Sequence, residues 1–137
     1  VLGGLVALVL GPSILDAANG AMKPHEGCRI LAVVDGDTVR MLCPEAGLVA
    51  GRLLGFDTPE LSPPRCPSEL AKGLAATFVL RWTLWTAHQI VALPRGTDRY
   101  GRTLTQVSVD GRNVAGALIG RGLARAYDGG PRASWCA

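Results

Sequence analysis

The sequence predicts a mainly β domain with helices (α+β), in which a five-stranded barrel carries one helix between its third and fourth strands and another after the fifth. Three observations support this. Short β-branched and aliphatic runs alternate with turn residues, one long run places apolar residues at helical spacing, and 18 glycines and nine prolines are scattered without a fixed period. At 137 residues and 48% hydrophobic composition, the chain can fill one core in one domain.

The first ten residues, Val1 to Leu10, carry no charge, and Gly11 to Ala21 is small, polar and alanine-rich. This pattern resembles the apolar and cleavage regions of a signal peptide. The run is shorter than the roughly 20 apolar residues of a transmembrane helix, and Asp16 interrupts its extension. No initiator Met or basic flank precedes it. Residues 1–22 are therefore expected to be a truncated signal peptide or N-terminal anchor, and residues 23–137 the folded domain. A buried N-terminal helix or strand is the alternative.

From Cys28 to Val34 and from Thr38 to Leu42, strand-forming residues surround Asp35-Gly36, a dipeptide suited to a type I′ hairpin turn. A third strand from Leu48 to Phe56 ends at Asp57-Thr58-Pro59, where proline stops the ladder. Pro67-Ser68-Glu69 opens a helix, with proline in the first turn and an acid near the positive end of the dipole. Leu70, Leu74, Phe78, Trp82 and Trp85 recur every three or four residues and are expected to face the barrel. Ile90 to Leu93 and Leu104 to Val109 read as strands four and five, the latter closed by Asp110-Gly111. Asn113 can cap a second helix whose Val114, Leu118, Ile119 and Leu123 point inward. Five strands with a helix between the third and fourth is the order of an OB-fold barrel.

The four cysteines form an even set of the kind that makes disulfides in small exported domains. Cys28 and Cys43 lie equally far from the hairpin turn, so a two-residue turn sets them opposite each other. Cys66 and Cys136 then remain to tie down the chain end. No pair has CxxC spacing and there are two histidines, which argues against zinc. A net charge of +3 permits a polyanionic partner without demanding one.

Three segments gather charges that folding alone does not need: Asp35-Gly36-Asp37-Thr38-Val39, Arg52-Leu53-Leu54-Gly55-Phe56-Asp57-Thr58-Pro59-Glu60, and Asp98-Arg99-Tyr100-Gly101-Arg102. In this order they resemble the signature stretches of the staphylococcal (micrococcal) nuclease family, over roughly residues 28 to 127. The resemblance implies that Asp37, Asp57 and the Thr58 backbone carbonyl bind Ca²⁺, with Asp35 adding charge from behind them. It implies that Arg52 and Arg102 clamp the phosphate and that Glu60 activates the attacking water, with the 5′-oxygen leaving to give 3′-phosphates. Arg99 and Tyr100 match nucleotide-contacting positions, and Tyr127 lies near a third.

The implied protein is a Ca²⁺-dependent endonuclease acting on DNA and RNA, preferring single-stranded or frayed substrate, with little sequence preference. It is expected to be a monomer without a stable membrane span in its mature domain. Its expected location is secreted or periplasmic, or membrane-anchored if the N-terminal segment is retained. A non-catalytic OB-fold module that binds nucleic acid or protein is the competing reading, although such a module has little use for Asp37, Arg52, Asp57, Glu60 and Arg102 together.

Overall fold

The computed structural model describes residues 14–61 and 64–136. Its strands are β1 (His25–Gly27), β2 (Arg29–Asp35), β3 (Thr38–Cys43), β4 (Gly47–Leu53), β5 (Phe56–Asp57), β6 (Ile90–Thr97), β7 (Thr103–Val109), β8 (Arg112–Asn113) and β9 (Arg125–Ala126). Its helices are α1 (14–22), α2 (Pro67–Thr86) and α3 (Ala115–Ile119). The main sheet runs β1-β6-β7-β4-β3-β2, with β8 on β7, while β5 and β9 form a separate pair. Strands β2, β3, β4, β6 and β7 are the five expected, α2 lies between the third and fourth of them, and β4 and β7 pair in parallel. This is the α+β, OB-fold arrangement predicted from the sequence.

The sheet curls until its edges meet. Strands β1 and β2 sit at opposite ends of the order, yet only Cys28 separates them in sequence. Gly27 makes the bend at φ 79°, and the Cys28 N–H donates to the Ala92 carbonyl of β6 (2.9 Å). Ile30, Val39, Met41, Leu53, Phe56, Leu80, Val107 and Leu118 fill the interior. The disulfides are Cys28–Cys43 and Cys66–Cys136, in the expected pairing.

The first hairpin turns one residue later than expected. Asp35 pairs with Thr38, so Gly36 and Asp37 form the turn, and two register shifts along β2 bring Arg29 opposite Leu42. Those shifts restore the alignment that sets Cys28 against Cys43. Gly36 serves close approach instead of a positive φ: a Cβ there would lie 2.8 Å from Ala76 Cβ and 2.9 Å from Thr58 Cγ2. The expected backbone signature occurs at Asp110-Gly111 (φ 51° and 82°), in the turn from β7 to β8.

The expected third strand breaks in two, because the chain turns at Leu54-Gly55 and β5 leaves the main sheet to pair with β9. A larger correction concerns α2. Leu70, Leu74, Phe78 and Trp82 are exposed and Trp85 is half-buried, while Glu69, Gly73, Ala76, Thr77, Leu80 and Leu84 face inward. The helix lies too close for bulky side chains at the contact: a Cβ on Gly73 would stand 2.8 Å from Leu61 Cδ2 and 3.1 Å from the Pro59 carbonyl oxygen. Helix α3 is a short turn in which Asn113 Oδ1 accepts the Ala115 N–H (2.8 Å). Val114 and Leu118 are buried there, but Ile119 points outward.

The expectation of a signal peptide or anchor falls on residues 1–22, of which 1–13 lie outside the described residues. Residues 14–22 form α1, held through Asp16. Its buried carboxylate accepts the Val33 N–H (3.1 Å) and the Trp85 Nε1–H (2.9 Å), and pairs with Arg81 Nε (3.0 Å). Between α1 and the end of α2 lies an apolar hollow of about 530 Å³, whose lysine, Lys23, is spent on the Trp85 and Ala87 carbonyls.

Candidate active site

Four pieces of chain converge on an open cleft of about 1090 Å³: the β2–β3 turn, the β4–β5 bend with the loop to Glu60, the β6–β7 loop, and a C-terminal strap from Tyr127 onward. The hairpin and β4 are locked together, since Thr38 sits opposite Arg52 and the Leu53 N–H donates to the Asp37 carbonyl (2.9 Å). This register puts the turn acid beside the strand arginine.

Asp37 and Asp57 are buried at 5% and 4% exposure, and Arg52 at 9%. Arg52 Nη2 stands 3.5 Å from Asp37 Oδ2 and 3.6 Å from Asp57 Oδ1, so one guanidinium serves two carboxylates. Asp37 Oδ2 also accepts the Thr58 N–H (3.2 Å), and its Oδ1 accepts the Thr38 hydroxyl (3.1 Å). Asp35 Oδ1 accepts the Asp37 N–H (3.1 Å). Burial, and then the negative charge of Asp37, push Asp35 up to about 7.

Glu60 lies half-buried at the rim on a loop fixed by the helix behind it. Glu69, 1% exposed, accepts the N–H groups of Glu60 (3.3 Å) and Arg65 (2.6 Å). On the opposite wall, Asp98 holds Arg102 through its backbone N–H (2.9 Å) and its Nε (2.8 Å). Burial would raise the Asp98 carboxyl, but these bonds and one from the Tyr100 N–H hold it below its usual value. Arg102 Nη1 reaches to 3.5 Å from Thr38 Oγ1, towards Arg52 and its carboxylates. Arg99 and Arg102 lie over the exposed Tyr100 ring at 4.9 and 5.6 Å from its centroid, and Arg52 lies 5.8 Å from that of Tyr127. Of the residues singled out from sequence, Asp35, Asp37, Arg52, Glu60, Arg99, Tyr100, Arg102 and Tyr127 line one cleft, while Asp57 and Thr58 lie buried beside it against Arg52 and Asp37.

Sequence reasoning missed the strap. Arg132 Nη2 contacts Asp57 Oδ1 (2.7 Å) and approaches the Thr58 carbonyl (3.4 Å), while Nη1 contacts Glu60 Oε1 (2.6 Å). Burial alone would lower the Arg132 pKa, but its bonds to Asp57 and Glu60 raise it. Trp135 is 4% exposed, with Nε1 3.4 Å from Asp57 Oδ2. A signal existed: Cys66 follows Glu60 by six residues, so the Cys66–Cys136 bridge brings the chain end to the acid.

The oxygens present suit a hard divalent cation with an incomplete shell. They are two buried carboxylates and a backbone carbonyl, with Asp57 Oδ1 held in ion pairs by Arg132 (2.7 Å) and Arg52 (3.6 Å). Among the described residues no three acidic, histidine or cysteine side chains converge to hold a metal alone. Solvent or substrate oxygens would have to complete such a shell.

The family model of staphylococcal nuclease homologues matches residues 51–134. Protein ParB of Escherichia coli is 32% identical over 124 residues, covering 84% of this chain and 64% of that protein. An uncharacterized endonuclease of Haemophilus influenzae is 28% identical over 123 residues, covering 90% of this chain and 63% of the relative. The chain thus spans a little under two thirds of the length of these curated relatives. With its α+β fold and a family match covering more than half its length, the chain belongs to the staphylococcal nuclease homologue family.

Proposed function

We propose that this protein is a Ca²⁺-dependent endonuclease that hydrolyses phosphodiester bonds of DNA and RNA with little sequence preference, leaving 3′-phosphates. The observation that carries this reading is the convergence of Asp37 and the buried Asp57 on Arg52, beside a cleft lined by Asp37, Arg52, Glu60 and Arg102. Clustered acids suit a cation, and arginines beside them suit a phosphate, so the two sets together fit a phosphodiester better than either ligand alone.

In this reading Asp37, Asp57 and the Thr58 carbonyl hold Ca²⁺, and Asp35 adds negative charge behind them. When bound, the cation would polarise the phosphate and orient a water molecule. Arg52 and Arg102 bind the non-bridging oxygens with fixed guanidinium forks, which stabilise the charge that builds as the water attacks. Glu60 accepts a proton from that water. Phosphorus gains the water oxygen, its bond to the 5′-oxygen breaks, and that oxygen takes a proton from solvent to leave as a hydroxyl. Arg99, Tyr100 and Tyr127 offer cationic and aromatic surface to the nucleotide, which suits single-stranded or frayed ends with unstacked bases. Phosphate contacts without a base-edge reader account for the weak sequence preference.

The test is digestion of single-stranded DNA and RNA by the purified protein, with Ca²⁺ in one tube and a chelator in the other. Cleavage in Ca²⁺ alone is expected. Equal digestion in both tubes would refute the cation's role, and binding without digestion in either would favour the non-catalytic module.

A further inference from the structure

We propose that Arg132 is a built-in competitor for the divalent cation, so that the C-terminal strap sets the metal affinity of the site. This rests on the reading above that Asp57 and the Thr58 carbonyl are cation ligands. Arg132 Nη2 contacts those same two oxygens, at 2.7 and 3.4 Å, and Nη1 takes Glu60 Oε1 at 2.6 Å. A metal ion and a guanidinium compete for one pair of oxygens, because two cations held at the same oxygens repel each other at short range. Binding is then an exchange of cations, and the apparent affinity is the intrinsic affinity multiplied by the fraction of molecules in which Arg132 has withdrawn.

The strap is built to keep Arg132 there. Cys136 is bonded to Cys66, just before α2. Trp135 is buried, with Nε1 directed at Asp57 Oδ2, and the Arg125 guanidinium stacks on its ring at 3.8 Å from the centroid. Arg125 Nη1 also donates to the Ser134 carbonyl (2.8 Å), and Lys72 Nζ reaches the Trp135 carbonyl (3.4 Å). The geometry also bears on the charge balance: without Arg132, Asp37 and Asp57 would share Arg52, and Glu60 would have no ion-pair partner among the described residues. Withdrawal of Arg132 frees Glu60 together with the two ligand oxygens, so one movement exposes the metal site and the base.

The experiment uses the full chain with its disulfides intact and titrates it with Tb³⁺, read by luminescence on exciting tryptophan, and with Ca²⁺, read by calorimetry. Arg132→Gln should bind both ions tighter than wild type by roughly tenfold or more. Cys66→Ser combined with Cys136→Ser frees the strap without altering a charged group, and should shift affinity the same way. Thermal unfolding of each variant checks that it is folded, and the double variant keeps the test alive if Arg132→Gln is not. Unchanged or weaker binding in the folded variants overturns the proposal. Asp57→Asn in the wild-type background separates the two ideas: if it leaves ion binding intact, the reading of the site itself is wrong, whereas if it abolishes binding while Arg132→Gln changes nothing, only the competition fails.

Discussion

Glu60 is held from two sides, by the Glu69 carboxylate at its backbone N–H and by Arg132 at its side chain. The first of these holds does not depend on the charge of Glu60, so the loop keeps its anchor when the carboxylate is neutralised. Glu60→Gln should fold normally and retain metal and nucleotide binding, yet lose most turnover, on the order of 10²-fold or more for removal of a general base. Single-turnover cleavage alongside nucleotide titration would check this, and near-wild-type turnover would remove Glu60 from the role. At this scale the charged side chains of the cleft were readable from their segments, because each acid or arginine is tied to a local turn or strand. Arg132 was not: its partners lie more than 70 positions away, and only the second disulfide hints at where it goes.

The most informative element is α2, which buries its small face and exposes its large one. Leu80, fully buried, should cost about 2–5 kcal/mol when cut to Ala. By contrast, Phe78→Ser and Trp82→Ser, at 61% and 55% exposure, should each change stability by only about 0.5 kcal/mol. Denaturant unfolding of the three variants would decide it, and a large loss at Trp82 would reverse the assigned orientation. Helix position, start and length were legible in Pro67, Glu69 and the apolar spacing. The facing side was not, because two apolar stripes compete and periodicity carries no information on how near the sheet lies. Gly73 and Ala76 were the clue, since a helix with small residues on one side can approach closely. The hairpin shows a related limit. Asp35-Gly36 marked the turn to within one residue, but neither the two register shifts in β2 nor the close approach of Gly36 to Ala76 and Thr58 is contained in any local rule.

For the molecule as a whole, the described chain is tied together at widely separated points. Asp16 joins α1 to both β2 and α2 through three buried or half-buried donors. Asp16→Ala should destabilise the protein by about 3 kcal/mol, since it leaves Arg81, the Trp85 indole and the Val33 N–H without their partner. A thermal shift of several degrees would register this, and an unchanged midpoint would mean that α1 is an ornament on the fold. The two disulfides suit an oxidising compartment, and no described helix is long and apolar enough to cross a membrane. The bridge from Cys66 to Cys136 closes a covalent ring that contains α2, β6, β7 and the strap. A protease that nicks the exposed loop around Arg99 therefore leaves one molecule, its two fragments joined until a reductant parts them. A cut in this exposed loop thus keeps both walls of the cleft on one covalent molecule.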